Sequence, residues 1–259
     1  MTAPRLSALV VARNEEARLA ACLDTLRFAD ELIVVLDRST DRSAEIARAA
    51  GARVIEGAWV LEGERRNAGL DACAGDWVLE VDADEHIPAS LGAEIRSVIA
   101  TSPHAWHEIP VDNFIGERLV RYGWGGSFGT SAVPRLSRKG AKRWGMQRVH
   151  PSLTWTGSKG PRLAHAIQHY VDRDISDVLR RLDRYSSAKA SDLLASGEIG
   201  TLAGNLRRLI SRVFKCFVSR KGYREGGWGL LIALRAGLYP LIAHLKGRLE
   251  PERHRPDAS

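Results

Sequence analysis

Four short apolar runs, each closed by a polar cluster, constrain this chain more than any other feature. Leu6 to Ala12 is the first, with β-branched Val10 and Val11, and it stops at Arg13-Asn14-Glu15-Glu16. Leu32 to Leu36 is the second and ends in Asp37-Arg38-Ser39-Thr40-Asp41. Val54-Ile55 is a short third. The fourth, Trp77 to Val81, runs into Asp82-Ala83-Asp84-Glu85. Runs of this length that are rich in Val, Ile and Leu read as buried strands. Between them lie helical patterns. Leu19, Cys22, Leu23 and Leu26 are three and four apart, Ala44 to Ala50 precedes a capping Gly51, and Glu64 to Ala74 is closed by Gly75. Strand and helix alternating in this way give right-handed βαβ units and a largely parallel sheet.

The fourth strand end carries the chemistry. Two acids one residue apart, with a third beside them, would emerge at the C-terminal edge of the sheet, where open α/β folds bind ligands. Such acids repel unless a cation lies between them, and hard divalent ions take oxygens from one or two carboxylates together with substrate phosphates. The motif alone more often belongs to a solvated acidic loop. Ser39, Thr40 and Asp41 are all good helix caps, and Asn14 reads as a cap too.

Beyond Glu85, Pro88 opens a helix with Leu91, Ile95, Val98 and Ile99 on its buried face. Residues 105–160 are dense in Trp, Gly and Arg and read as short strands (107–114, 132–137) joined by long loops over a substrate. Residues 160–175, with His165, His169, Asp172 and Asp174, read as a connection. A helix resumes near Ile175, with Val178, Leu179, Leu182 and Tyr185.

Charge separates the C-terminal part. Residues 201–250 hold ten Lys or Arg against two acids, whereas the remainder is nearly balanced. Leu206, Leu209, Ile210, Val213, Phe214, Phe217 and Val218 form an apolar stripe that Arg207, Arg208, Arg212 and Lys215 avoid. A Gly-rich break, 222–229, precedes sixteen mostly apolar residues, Leu230 to Leu245, interrupted by Arg235 and Pro240. A basic amphipathic helix of this kind reads as an interfacial membrane anchor, and no run reaches the ~20 uncharged residues of a span. Excess charge confined to one segment, with no recognised nucleic-acid motif, argues against nucleic acid as a partner. Three scattered cysteines, Cys22, Cys73 and Cys216, fit a reduced, cytosolic chain.

Taken in order, Asn14-Glu15-Glu16, Asp37 with Ser39-Thr40-Asp41, Arg66-Asn67, and Gly75-Asp76-Trp77 leading to Asp82-Ala83-Asp84-Glu85 resemble an inverting family 2 glycosyltransferase of the GT-A fold. Pro134-Arg135-Leu136-Ser137-Arg138, Val149-His150, Ile167-Gln168-His169 and the 222–229 segment are similar to the lipopolysaccharide-core β-glucosyltransferase branch. The resemblance implies an α/β, mainly parallel sheet flanked by helices. Residues 1–200 would be the catalytic domain, with a nucleotide-sugar half (1–100) and an acceptor half (101–200). Residues 201–250 would associate with the membrane, and 251–259 would form a disordered tail.

The resemblance also implies roles. Ala12, Arg13, Asn14, Glu15, Asp37, Arg66, Asp82 and Ala83 would bind the nucleotide sugar. Asp84, Asp82 and His169 would hold Mg2+ or Mn2+. The donor would be a UDP-sugar, and the acceptor a lipid-linked glycan or lipopolysaccharide core at the cytoplasmic face of a bacterial inner membrane. In the branch a Glu commonly follows the Val-His pair, but Pro151 stands here, so the base is open among Asp112, Glu117, Asp172 and Asp174. A sugar nucleotidyltransferase and a catalytically degenerate glycan-binding protein are the alternatives.

Overall fold

The computed structural model describes residues 3–125, 131–147 and 151–254; Val149-His150 lies outside them. Two compact units emerge. The first comprises residues 1–112 and 131–169, the second 113–130 and 170–259.

In the first unit, β1 (Leu6–Ala12), β2 (Glu31–Asp37), β3 (Arg53–Gly57) and β4 (Trp77–Asp82) are linked by α1 (Glu16–Asp24), α2 (Ser43–Ala49) and α3 (Glu62–Ala72). They pair in parallel in the order β3-β2-β1-β4, with Val10 level with both Val34 and Val81. β5 (Glu85–His86) and α4 (Ala89–Thr101) follow. The sheet then becomes antiparallel: β8 (Ala132–Arg138) pairs with β4 and with β6 (Trp106–Ile115), and β11 (Ile167–Asp172) sets His169 opposite Glu85 of β5. β7 (Arg118–Leu119) pairs with the end of β6, and β9 (Lys142–Trp144) forms a separate ladder with β10 (Leu153–Trp155).

Strand alternation sends side chains to two faces. Leu6, Ala8, Val10, Val34, Leu36, Leu79 and Val81 face one core with Leu19, Leu23, Leu91 and Ile95 of α1 and α4. Leu9, Ile33, Val35 and Val78 face the other, beneath Leu70 of α3. Helix α3 lies close because it presents Gly69, where an added Cβ would stand 2.6 Å from Leu9 Cδ1. Leu6, Leu9, Leu79 and Ile95 are fully buried, each worth about 1.5–3 kcal/mol relative to exposure.

The second unit holds β7 with the ends of β6 and β11 and is otherwise helical: α5 (Ile175–Ser196), α6 (Leu202–Phe214), a π turn at Lys215–Ser219, a 3-10 turn at Gly222–Glu225, α7 (Gly227–Leu249) and α8 (Pro251–His254). Asp174 caps α5 by accepting from Asp177 N at 2.8 Å. Helices α6 and α7 meet where Gly237 lets Leu209 and Val213 approach; a Cβ there would lie 2.8 Å from Leu209 O. Buried Asp172 anchors the bundle through Arg181 Nε and Arg235 Nη1, both at 3.1 Å. Burial pushes the Arg235 pKa down to about 10 against the pull of Asp172.

Several expectations change here. Residues 160–175 are not only a connection, since they contain β11. On α5, Val178 and Leu182 are buried and Leu179 is exposed. Residues 251–254, expected in a disordered tail, form α8, in which His254 is buried; 255–259 lie outside the described residues. Arg235 and Pro240 interrupt the apolar run but not the helix: α7 runs 23 residues and is long and apolar enough to cross a membrane by length and composition, with half of its most apolar window buried. Pro240 lacks the N–H that would bond the carbonyl four residues back. That carbonyl, on Ala236, accepts instead from Arg212 Nη1 at 3.4 Å.

Candidate active site

The C-terminal ends of β1, β2 and β4 bring the expected residues of the first unit to one edge. The ends of β1 and β2 are stitched together. Asn14 N donates to Ser39 Oγ at 3.1 Å, and Asn14 Oδ1 accepts from Thr40 N at 2.8 Å. Glu15 N donates to Ser43 Oγ and Glu16 N to Asp41 Oδ2. Asn14 and Ser39 therefore tie two loops together rather than cap helices. Asn14 sits at φ +54°, a region Asn tolerates better than most residues. Ala12 is buried at the strand end, and Arg13 is exposed beside it.

Asp37 is 2% exposed and fully engaged. It accepts from Arg38 at 2.9 and 3.0 Å, from Trp59 N at 3.2 Å and from Arg65 Nη1 at 3.3 Å. Burial alone would raise its pKa, but these donors outweigh it and hold the carboxyl below its ordinary value.

The acidic turn is neutralised from several sides. Arg135 Nη2 bridges Asp82 Oδ2 and Glu85 Oε1, and Arg66 Nη2 reaches Asp82 Oδ1 at 3.3 Å. Glu85 closes the turn by accepting from Asp82 N at 2.9 Å. Burial works to raise the Asp82 pKa, yet Arg135 and Arg66 hold it well below the carboxylate range. Burial prevails at Glu85, whose pKa is raised in spite of Arg135. Arg66 is not a solvated helix residue: it also binds Glu62 at 2.9 Å and lies over the Trp144 ring at 4.7 Å. Ala83, between the two aspartates, is buried.

Asp84 points elsewhere. Its Oδ2 lies 3.4 Å from His169 Nε2 and 3.6 Å from Arg18 Nη1, and all three side chains are partly open to solvent. Octahedral Mg2+ at about 2.1 Å from each ligand puts adjacent donors roughly 3 Å apart. The Asp84–His169 spacing fits two such neighbours, with the other positions left to water and phosphate. Asp82, expected as a third ligand, has both oxygens occupied by guanidinium groups. Among the described residues no group of three or more His, Cys, Asp or Glu side chains is assembled for a metal.

The four carboxylates considered as base are dispersed in role. Asp172 is a buried ion-pair anchor and Asp174 a helix cap. Glu117 lies in the exposed turn between β6 and β7, and Asp112 is half-buried on β6. Sequence reasoning did not assign Arg135, Arg18 or Arg65 to the site. The Pro134–Arg138 stretch was the available signal for Arg135, which lies one residue beyond the last paired position of β8 on β4, Leu136 opposite Leu79.

Residues 7–113 match the family model "Glycosyl transferase family 2". A Rickettsia bellii protein described as an uncharacterized glycosyltransferase is 34% identical over 244 residues, 86% of this chain and 79% of that one. The lipopolysaccharide core biosynthesis glycosyltransferase LpsC of Rhizobium meliloti is 25% identical over 261 residues, 93% of this chain and 91% of its own. A Rickettsia typhi relative, also described as a glycosyltransferase, is 36% identical over 98 residues, and the match spans about a third (34%) of its length. A solved structure of glucosyl-3-phosphoglycerate synthase from Mycobacterium tuberculosis with Mn2+, UDP and glucosyl-3-phosphoglycerate aligns with a TM-score of 0.37 at 26% identity, covering 43% of this chain and 44% of that one.

Proposed function

This chain is a family 2 glycosyltransferase, and we propose that it transfers a sugar, with inversion and with a divalent metal, from a UDP-sugar to a lipid-linked glycan or lipopolysaccharide core. One observation carries the reading: Asp37, Arg66, Asp82, Asp84 and His169 gather at the same edge of the first unit's sheet. The full-length likeness to LpsC supports the acceptor class, and such an acceptor would place the enzyme at the cytoplasmic face of the inner membrane as a peripheral protein.

In this reading the stitched ends of β1 and β2 cradle the nucleoside, with the backbone of Ala12, Arg13 and Glu15 facing base and ribose and the buried Asp37 holding Arg38 and Arg65 at that edge. Asp84 and His169 hold Mg2+ or Mn2+, which supplies Lewis-acid charge for the leaving diphosphate when bound. Asp82, fixed by Arg135 and Arg66, faces the donor sugar. Arg66 and Arg18 bring positive charge to where phosphate oxygens would lie, a role suited to guanidinium groups. The transition state at the anomeric carbon is oxocarbenium-like, so a fixed Asp82 carboxylate stabilises charge that develops there.

The test is Asp84→Ala assayed with UDP-glucose, other nucleotide sugars and Mn2+, with far-UV circular dichroism as a fold control. Loss of transfer with the fold kept is the expected result; unchanged turnover removes the metal site from the mechanism.

A further inference from the structure

Helix α6 carries more apolar surface than its packing consumes. Its inner side, Leu209 and Val213 with Cys216 and Phe217 beyond, is taken up by Ala233, Ala236 and Gly237 of α7. A second row remains outside. Leu202, Leu206, Ile210, Phe214 and Val218 recur every four residues and are 45–68% exposed. Four residues overshoot one α-helical turn by about 40°, so such a row slants round a regular helix. The π turn at Lys215–Ser219 winds more slowly per residue, and it keeps Val218 closer to the line of Phe214. The row spans about 24 Å at 1.5 Å per residue. Tyr223, also exposed, stands edge-on to Phe217 with ring centroids 6.5 Å apart.

The charge beside this row is of one sign. No acid occurs between Glu198 and Glu225, and seven Lys or Arg lie in that interval. Arg212, Arg220 and Arg224 are spent on Ala236 O, Trp124 O and Tyr122 Oη. Arg207, Arg208, Lys215 and Lys221 are exposed and form no ion pair with a carboxylate among the described residues. Glu225 is buried and accepts from the backbone of Arg121 and Tyr122, so it offsets little of this charge outward.

We propose that the outer row of α6 and its π turn is the surface by which this protein seats on an anionic lipid bilayer, with Ile210 and Phe214 inserted among the acyl chains and Arg207, Arg208, Lys215 and Lys221 on lipid phosphates. Apart from the basic residues beside it the row is apolar, and exposed aliphatic and aromatic side chains flanked by basic residues that pair with no carboxylate among the described residues match an interfacial helix. The assignment divides the stripe visible in the sequence: Leu209 and Val213 hold the fold, and Leu206, Ile210, Phe214 and Val218 meet lipid. It deepens the peripheral location named above and does not depend on which sugar is transferred.

The test is flotation of the purified full-length chain with vesicles of 30% phosphatidylglycerol in phosphatidylcholine, against pure phosphatidylcholine. Wild type floats with the anionic vesicles, and 0.5 M NaCl releases it. Ile210→Asp with Phe214→Asp lowers partitioning at least tenfold. Arg207→Gln with Arg208→Gln lowers it by about fivefold per charge removed. Phe214→Trp shifts its emission to the blue on the anionic vesicles. Circular dichroism and nucleotide-sugar calorimetry on each variant separate a lost surface from a lost fold or donor site. Wild type that stays with neither vesicle, or the double Asp variant binding as wild type does, overturns the proposal. So does a wild-type dimer in sedimentation that the double Asp variant abolishes while its vesicle binding is unchanged, because the row would then join two copies of the chain.

Discussion

His169 Nε2 faces Asp84 Oδ2 at 3.4 Å, although the two residues are 85 positions apart. The meeting is a product of the sheet: β11 pairs with β5, and His169 stands opposite Glu85, the residue after Asp84. A neutral imidazole and a carboxylate at this spacing are suited to share a divalent ion.

Removing the imidazole tests that relationship. On the proposal that Asp84 and His169 hold the ion, His169→Ala weakens Mn2+ activation by at least about tenfold and lowers turnover less than Asp84→Ala does. Titration of initial rates with Mn2+ at saturating donor reads this. An unchanged metal midpoint would remove His169 from the site.

Asn14 tests how the loops after β1 and β2 are held together. Asn14→Ala loses the acceptor for Thr40 N and places a Cβ residue at φ +54° without a compensating bond. The conformational part costs about 1–2 kcal/mol. Asn14→Gly keeps the backbone and loses only the hydrogen bond, so it unfolds in urea between wild type and the Ala variant. If the two variants are equal, strain at this position is not what Asn relieves.

Asp37 gives a pH dependence with a definite sign. Its pKa in the fold is below the ordinary 3.8, so the unfolded chain takes up the proton first. The carboxylate's contribution is whole above about pH 4 and disappears as pH falls through the folded value. Asp37→Asn is less stable than wild type at pH 7 by about 1–3 kcal/mol, and the gap narrows by pH 3. Urea midpoints for both proteins at the two pH values measure it. A gap that widens towards acid contradicts the ion-pair account.

Lys142 and Glu80 form a buried pair behind the site, with Lys142 also donating to Pro134 O at 3.1 Å and Trp144 Nε1 donating to Glu80 Oε1 at 3.1 Å. Lys142→Met leaves the buried Glu80 carboxylate with Trp144 Nε1 and a 3.9 Å approach from Arg66 Nη1, and costs about 3 kcal/mol. Adding Glu80→Gln recovers part of that loss, because the remaining group is neutral and still accepts from Trp144. A double variant that is less stable than Lys142→Met alone would falsify this view of the pair.

Short-range pattern makes the first hundred residues legible. The strands at 6–12, 32–36 and 77–82 follow from unbroken apolar runs, and Asp37, Asp82 and Asp84 follow from where those runs end. β11 was hidden because only alternate residues, such as Ile167 and Val171, face a core, and His169, Gln168 and Tyr170 interrupt any apolar run. Arg135 and Arg18 belong to the site through contacts with acids 53 and 66 residues away, which local spacing does not encode. In α6 the periodicity was visible, but how the stripe divides depends on which side α7 covers. Nor does the sequence hint that Arg212 serves the carbonyl that Pro240 vacates in α7.

The buried triad of Asp172, Arg181 and Arg235 has a consequence for dissecting the protein. Its members lie at the end of a strand, in α5 and in α7, so residues 113–130 and 170–259 cannot be detached at a tidy seam near residue 200. Removing everything after that point would take Arg235 from a carboxylate that is 3% exposed and strip the cover from α5, leaving a sticky remnant rather than a soluble catalytic core. Loss of lipid binding in such a shortened chain would be uninterpretable, and single side-chain replacements on α6 are the appropriate instrument.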